Sequence, residues 1–306
     1  MVLPLSRGEA PRHRFYEDCV LPPIAFLLVT VASFAHATWN FLAKRAAHST
    51  HLIWLSSATE ALLFAPLAVW VLTRVWSNLG LRAALFLLAT GVLHLLYTES
   101  LLRGYRAGDL TVVYPLARGT GPLLSFCGAV VWLHEHPSWL AGAGALMIAF
   151  GILYASGGLS ALRNPANHAG LFWGVGTGVI IASYTLVDGY SVKMLLLSPI
   201  LVDYAGNLFR LLVLSGGAYR RRATLSREYK QYWKEALGIG LLTPLGYILV
   251  LFAMKLAPIS HVAPMREMSM MIGMYFGAKF LSEGQILRRL IGSIAIAAGV
   301  AAVALG

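Results

Sequence analysis

Charge and cysteine are what this chain has least of. Only 12% of its 306 residues are Asp, Glu, Lys or Arg, against a hydrophobic share of 58%, whereas a soluble domain carries about twice that charge. A chain so poor in charge cannot present an ordinary water-facing surface, which excludes a typical soluble domain. Acidic residues are the scarcer kind, 13 against 24 Lys plus Arg, leaving a formal charge of +11. The excess does not point to nucleic acid, because the basic residues sit between apolar runs and build no extended basic face; they read as loops beside anionic lipid headgroups. The two cysteines, Cys19 and Cys127, cannot make a disulfide framework, and Cys127 lies in an apolar run as a small packing residue.

Catalytic motifs are missing too. The chain has no nucleophile with an oriented base, no phosphate-cradling glycine loop and no nucleotide-hydrolysis motif, so hydrolytic chemistry and primary pumping both lack their parts. It reads as a non-enzyme without a cofactor. The main rival is a polytopic enzyme acting on a lipid or lipid-linked substrate, which would draw on scattered intramembrane His, Asp and Glu. His134-Glu135-His136 suggests a metal site, but neighbours in a short loop point in different directions and supply no tetrahedral set. A loop cap or gating role for Glu135 is the stronger reading.

What the chain does have is long apolar runs. Ten stretches of about 20 residues, the length of a spanning helix, fall near 22–43, 51–73, 82–102, 110–133, 138–156, 170–190, 198–219, 235–254, 259–281 and 288–305. Each is continuous, without the alternation of barrel strands, and hydrocarbon obliges every backbone amide to find a partner inside its own segment. The expected fold is therefore all-α, a polytopic membrane protein of about ten transmembrane helices. Arg7, Arg12 and Arg14 before the apolar run, then Ala35-His36-Ala37, imitate a signal peptide. The polar leader is long, however, and apolar character continues to Lys44, so this run reads as the first span.

Two stretches about 150 residues apart share one template. Tyr105 to Arg118, "YRAGDLTVVYPLAR", aligns with Met254 to Glu267, "MKLAPISHVAPMRE", setting Arg106 opposite Lys255, Thr111 opposite Ser260 and Pro115 opposite Pro264. After a slip of one residue, Glu135, Gly144 and Gly151 fall opposite Glu283, Gly292 and Gly299. The chain then divides into a polar extension (1–21), a first five-helix repeat (22–156), a linker (157–169) and a second five-helix repeat (170–306). Five spans per half is an odd number, so the second half enters the membrane from the other face and the repeats are inverted. Gly170, Gly174 and Gly178, every fourth residue of the sixth span, mark a close helix–helix approach.

These residues resemble the drug/metabolite transporter superfamily in its ten-helix form with two EamA-type domains. The likeness covers the chain from about residue 22 and rests on "HATWNFLAK" (His36 to Lys44), "GDLTVVYPLARGTGP" (Gly108 to Pro122), "APISHVAPMRE" (Ala257 to Glu267), Glu135 and Glu283. It implies a secondary permease, often an exporter, for small polar or amphipathic metabolites, with a central cavity between the halves. The expected setting is the plasma (bacterial inner) membrane, as a monomer or homodimer, with the bilayer and a small-molecule substrate as partners and no nucleic acid. The resemblance implies cytoplasmic termini; the positive-inside rule, applied to the clustered Arg220, Arg221, Arg222, Arg227, Lys230 and Lys234, prefers an outside amino terminus.

Ionisable groups in spans are costly, by about 2.5–3.5 kcal/mol each on insertion scales, and so face protein or a wet cavity. Helical spacing gathers the candidates into stripes: His36, Trp39 and Asn40 with Lys44 in the first span; Glu60 with Ser56 in the second; His94 and Tyr97 with Thr98 in the third; Tyr114 and Arg118 in the fourth. Tyr184 with Asp188, then Asp203, Asn207 and Arg210, then Thr243 with Tyr247, continue the pattern through the second half. Arg118 and Arg266 each follow the repeat's shared proline, and a guanidinium's planar fork suits a carboxylate or phosphate. One or both would bind an anionic group of the solute. The alternative is that Arg118 or Arg266 is locked to Glu267, Glu60 or Asp203 as a structural ion pair; Arg118 is the better candidate for the solute because Glu267 is a ready partner for its neighbour Arg266. His36, His94, His261 and Glu60 are candidates for proton coupling. Met265, Met268, Met271 and Met274 read first as core packing. Pro115, Pro122, Pro244 and Pro264 are expected points of bending.

Overall fold

The computed structural model describes residues 21–46, 48–107, 110–156, 168–280 and 286–306. Every regular element among them is helical: α1 (Pro23–Arg45), α2 (Leu52–Val75) with a short 3₁₀ turn after it, α3 (Leu81–Ala107), α4 (Leu110–Trp132), α5 (Trp139–Ser156), α6 (His168–Lys193), α7 (Pro199–Arg220), α8 (Arg222–Leu256), α9 (Ile259–Met265), α10 (Met268–Phe280) and α11 (Ile286–Leu305). Seven of these, α1, α2, α3, α6, α7, α8 and α11, contain stretches long and apolar enough to cross a membrane by length and composition. The protein is accordingly a multi-pass membrane protein. The polar extension (residues 1–20), Glu283 and most of the linker lie outside the described residues. Residues 168 and 169, expected at the linker's end, already belong to α6.

Burial is inverted relative to a water-soluble fold. Leu62, Leu81, Phe172 and Trp139 are all more than 70% exposed, while Glu60, Arg118, Glu135, Asp188 and Glu267 are buried. An apolar exterior around charged groups is what hydrocarbon solvent selects. Inside, α5 packs on α11, α4 on α6, α1 on α8, and α3 on both α6 and α7.

Glycine makes the tightest of these seams possible. A Cβ on Gly144 would lie 2.6 Å from the Gly299 carbonyl oxygen, and one on Gly151 2.8 Å from that of Gly292. Position 144 meets 299 while 151 meets 292, so α5 and α11 run antiparallel with their backbones nearly touching. Without a hydrophobic push between helices in lipid, such close approach is what holds a pair together.

The stretch 259–281, expected as one span, is broken in two. Pro264 brings no amide hydrogen, and beyond it the chain tightens: the Glu267 N–H donates to the Pro264 carbonyl (3.0 Å) and the Met270 N–H to that of Glu267 (2.8 Å). Three-residue hydrogen bonds of this kind interrupt the α-helix. Arg266 and Glu267 thus stand at a helix junction inside the bundle. The other anticipated prolines leave their helices continuous, Pro115 and Pro122 within α4 and Pro244 within α8. The kink in α8 falls instead at Tyr232 (φ −119°, ψ 17°). Met265 is fully buried, and Met268, Met271 and Met274 pack against the main apolar core.

Glu135 closes one end of the bundle as a cap. Only 1% exposed, its Oε1 accepts the Ile259 N–H and its Oε2 the Ser260 N–H, each at 2.8 Å. Lys193 Nζ adds a third contact at 3.3 Å and donates to the Ala257 carbonyl as well. A carboxylate at a helix's free amides satisfies donors that have no partner within the helix. No group of three or more possible metal ligands occurs among the described residues.

Candidate functional site

A cavity of about 150 Å³ opens inside the bundle. From the first half come Ala32, Ser33, His36 and Trp39 of α1, His94 and Tyr97 of α3, and Arg118 of α4; α6, α7, α8 and Arg266 close the other side. On α7 the lining runs through Asp203, Asn207 and Arg210, and on α8 through Thr243, Tyr247 and Val250. These are intervals of three and four, one face of each helix turned inward.

The cavity has an aromatic wall with a carboxylate behind it. His94 lies 4.3 Å from the Tyr184 ring and 5.3 Å from that of Tyr247, and Tyr97 meets Tyr184 edge-on at 5.8 Å. Behind them Asp188, fully buried, accepts the Tyr247 hydroxyl at 2.5 Å on Oδ2 and touches His94 Nε2 with the same oxygen at 3.0 Å. On α1, His36 and Trp39 meet edge-on at 5.0 Å.

The two arginines differ sharply. Arg118 pairs with Glu267 at 2.8 Å and donates to Ser269 Oγ at 3.1 Å. Arg266 stacks its guanidinium over Tyr247, 5.6 Å from the ring centroid, and reaches Thr185 Oγ1 only at 3.4 Å. Among the described residues no carboxylate lies within 4.0 Å of it. The expectation drawn from adjacency is thereby reversed: Glu267 neutralises Arg118, whose helix packs across from it, rather than Arg266 beside it. A side chain's neighbour in sequence points elsewhere once the helix breaks between α9 and α10.

Several buried polar atoms at or next to the cavity have no hydrogen-bond partner among the described residues: Ser33 Oγ, Arg118 Nε, Thr243 Oγ1 and, behind the wall, Asp188 Oδ1. Leaving such groups unsatisfied costs on the order of 1–3 kcal/mol each, and native proteins do so sparingly, at places with a reason. Most such atoms among the described residues gather at or beside this one chamber.

Of the residues that sequence spacing turned inward, His36, Trp39, His94, Tyr97, Arg118, Asn207, Tyr247 and Arg266 line the chamber, as do Tyr184, Asp203, Arg210 and Thr243. Asn40, Glu60, Tyr114 and Glu267 do not. Asn40 turns its amide back on the His36 carbonyl at 2.7 Å. Glu60 sits behind the α7 stripe, 3.5 Å from Arg210, which is also held by Ser57 and Asn207. Tyr114 is one turn from Arg118 but off the lining, and Glu267 is taken up by the ion pair. Ala32, Ser33, Val202, Gly206, Gly246 and Val250 complete the lining and went unread because sequence reasoning looked for charge and rings. Their signal was position: Gly206 and Gly246 adjoin Asn207 and Tyr247, and Ser33 lies one turn before His36.

No protein-family model matches this chain, and no curated protein sequence does. A solved crystal structure of a protein, described no further, superposes on 92% of this chain and 97% of its own with a TM-score of 0.68 at 14% identity. At that identity the likeness concerns the fold alone: the chain shares its helical architecture with that protein over nearly the full length of both.

Proposed function

We propose that this protein is a secondary transporter of the drug/metabolite superfamily type, carrying a small polar or amphipathic solute with an anionic or zwitterionic character. Ten spans in two inverted five-helix repeats would alternate access to the central chamber. The single observation that carries the reading is the chamber itself, walled by helices of both halves, with unpartnered polar atoms around it and an arginine, Arg266, that has no carboxylate within 4.0 Å among the described residues. Arg266 is the anchor for the solute's anionic group, with Tyr247 holding the guanidinium in place. The aromatic wall takes the solute's apolar body. Asp188, with His94 and Tyr247, is the best-placed group to exchange a proton during the cycle.

The helix contacts support inverted repeats. Applying the repeat's own correspondence to the Gly144–Gly299 contact gives Gly292–Gly151, which is the other close contact of that seam. Arg118 corresponds to Glu267 in the alignment, and the two touch, as residues beside a two-fold axis do. Opposite charges at matched positions turn a symmetric location into a pair.

The test begins with a metabolite-wide thermal-shift screen on purified protein, followed by uptake of the hits into proteoliposomes. Arg266→Ala should abolish uptake while the protein stays folded and monodisperse. Full uptake by this variant would reject the anchor, and full uptake by Arg118→Ala as well would reject the chamber as the route.

A further inference from the structure

The link between α7 and α8 carries a cationic surface that the chamber does not use. Arg221 (φ −110°, ψ 28°) breaks the helix before it and Tyr232 breaks it after, so residues 222–231 form a helix of their own between two spans. Leu225 and Glu228, three residues apart, form its partly buried inner face, and Tyr232 and Glu235 at and beyond the kink are partly buried too. On the outer face Arg227 and Lys230, three residues apart, are exposed, and Lys234 is exposed just beyond the kink. Tyr229 and Trp233, four residues apart and 55% and 45% exposed, run alongside.

The acids of this segment are already engaged. Glu228 accepts from Ser49 Oγ (2.6 Å), Thr50 Oγ1 (2.7 Å) and the His51 N–H (3.0 Å), all in the α1–α2 connection. Glu235 faces Arg45 at 3.8 Å. Residues 220–235 hold six Arg and Lys against two Glu, an excess of four positive charges, and no carboxylate among the described residues lies within 4.0 Å of Arg227, Lys230 or Lys234.

We infer that this helix is a binding site for anionic phospholipid headgroups, with Arg227, Lys230 and Lys234 on the phosphates and Tyr229 and Trp233 at the boundary with the acyl chains. A basic stripe beside an aromatic one is the chemistry of an interfacial helix. Its position agrees: Trp233 stands where the apolar part of α8 begins, the level at which membrane proteins place Trp and Tyr. An acidic protein partner would use the charge but has no need of the paired rings at that depth. Beyond its kink the same helix supplies Thr243, Gly246 and Tyr247 to the chamber wall, so the headgroups hold an element of the site.

The test uses the whole protein in nanodiscs of phosphatidylcholine, with and without phosphatidylglycerol, and reads amide hydrogen exchange over residues 221–234. Phosphatidylglycerol should slow exchange there about tenfold or more, roughly what one or two interfacial charges supply. The triple variant R227Q/K230Q/K234Q, which keeps helix propensity, should lose that slowing while the spans exchange as before. Equal exchange in both lipids overturns the inference, as does slowing that persists in the triple variant. Slowing by a soluble polyglutamate in phosphatidylcholine, with none from phosphatidylglycerol, overturns it in favour of an acidic protein partner. None of these readouts depends on transport.

Discussion

Glu135 and Asp188 are both carboxylates withdrawn from solvent, 1% and 0% exposed, yet they use their oxygens differently. Glu135 spends both: two backbone amides and a lysine surround it, and nothing is left to offer. Asp188 places Tyr247 and His94 on one oxygen and leaves the other without a partner. A saturated buried charge fixes architecture, because removing it strands its partners. An unsaturated one beside a chamber retains capacity for something that comes and goes. Burial alone would have ranked the two alike; hydrogen-bond accounting separates the saturated carboxylate from the unsaturated one.

Three substitutions can break or sharpen that contrast. Glu135→Ala should have the largest effect on stability, roughly 3–5 kcal/mol, because it leaves Lys193 and two amides of α9 without their carboxylate. Thermal or denaturant unfolding in detergent reads it, and an unchanged melting temperature would mean the cap is ornamental. Asp188→Asn should lower uptake of any identified solute by about tenfold or more, about 1.4 kcal/mol in rate terms, with little change in melting temperature. Were it to unfold as Glu135→Ala does, both carboxylates would be structural and the contrast would vanish.

The smallest effect belongs to Glu228, a third carboxylate, at the membrane surface. Desolvation, the largest single influence, pushes its carboxyl up, but the hydrogen bonds from Ser49, Thr50 and His51 together outweigh it and hold the carboxyl down to about 2 from an ordinary 4.5. A lowered native value means the contribution is complete above about 4.5 and is lost as pH falls toward 2. The protection of amides 222–231, taken as exchange relative to the intrinsic rate at each pH, should therefore fall over that acid range in the native protein. Glu228→Gln should exchange faster at neutral pH and show less of the acid step; an identical step in the variant would assign it to another group.

Orientation offers a separate measurement. The basic helix 222–231 and the end of α1 lie on one side of the bundle, Glu135 and the start of α9 on the other. If the positive-inside rule governs, a single cysteine at position 227 in a background lacking Cys19 and Cys127 reacts with a membrane-impermeant maleimide only after the cells are opened. Reaction in intact cells would favour the opposite sense, with the amino terminus cytoplasmic.

Much of the architecture was legible because hydrocarbon is a simple solvent: it demands runs of about 20 apolar residues in closed backbone structure, and such runs are visible in the chain. The polar stripes were legible for a related reason, since the cost of a buried charge obliges His36, His94, Asn207 and Tyr247 to share an inward face. The choice of Arg118 over Arg266 as the partner of Glu267 was not, because which of two arginines a carboxylate meets depends on the turn after Pro264. Nor was the contribution of Ser33, Gly206 and Gly246, whose small side chains act by leaving room, and room exists only between elements.

Composition and periodicity alone determined that this is a helical protein of the membrane with polar faces turned inward, since both follow from the free energy of transferring side chains between water and lipid, a property each residue carries by itself. Which charges cancel, which oxygen stays unshared and where space remains were decided only by tertiary structure. Those depend on separations of a few ångströms between residues far apart in sequence, such as Arg118 and Glu267, and packing alone sets such distances.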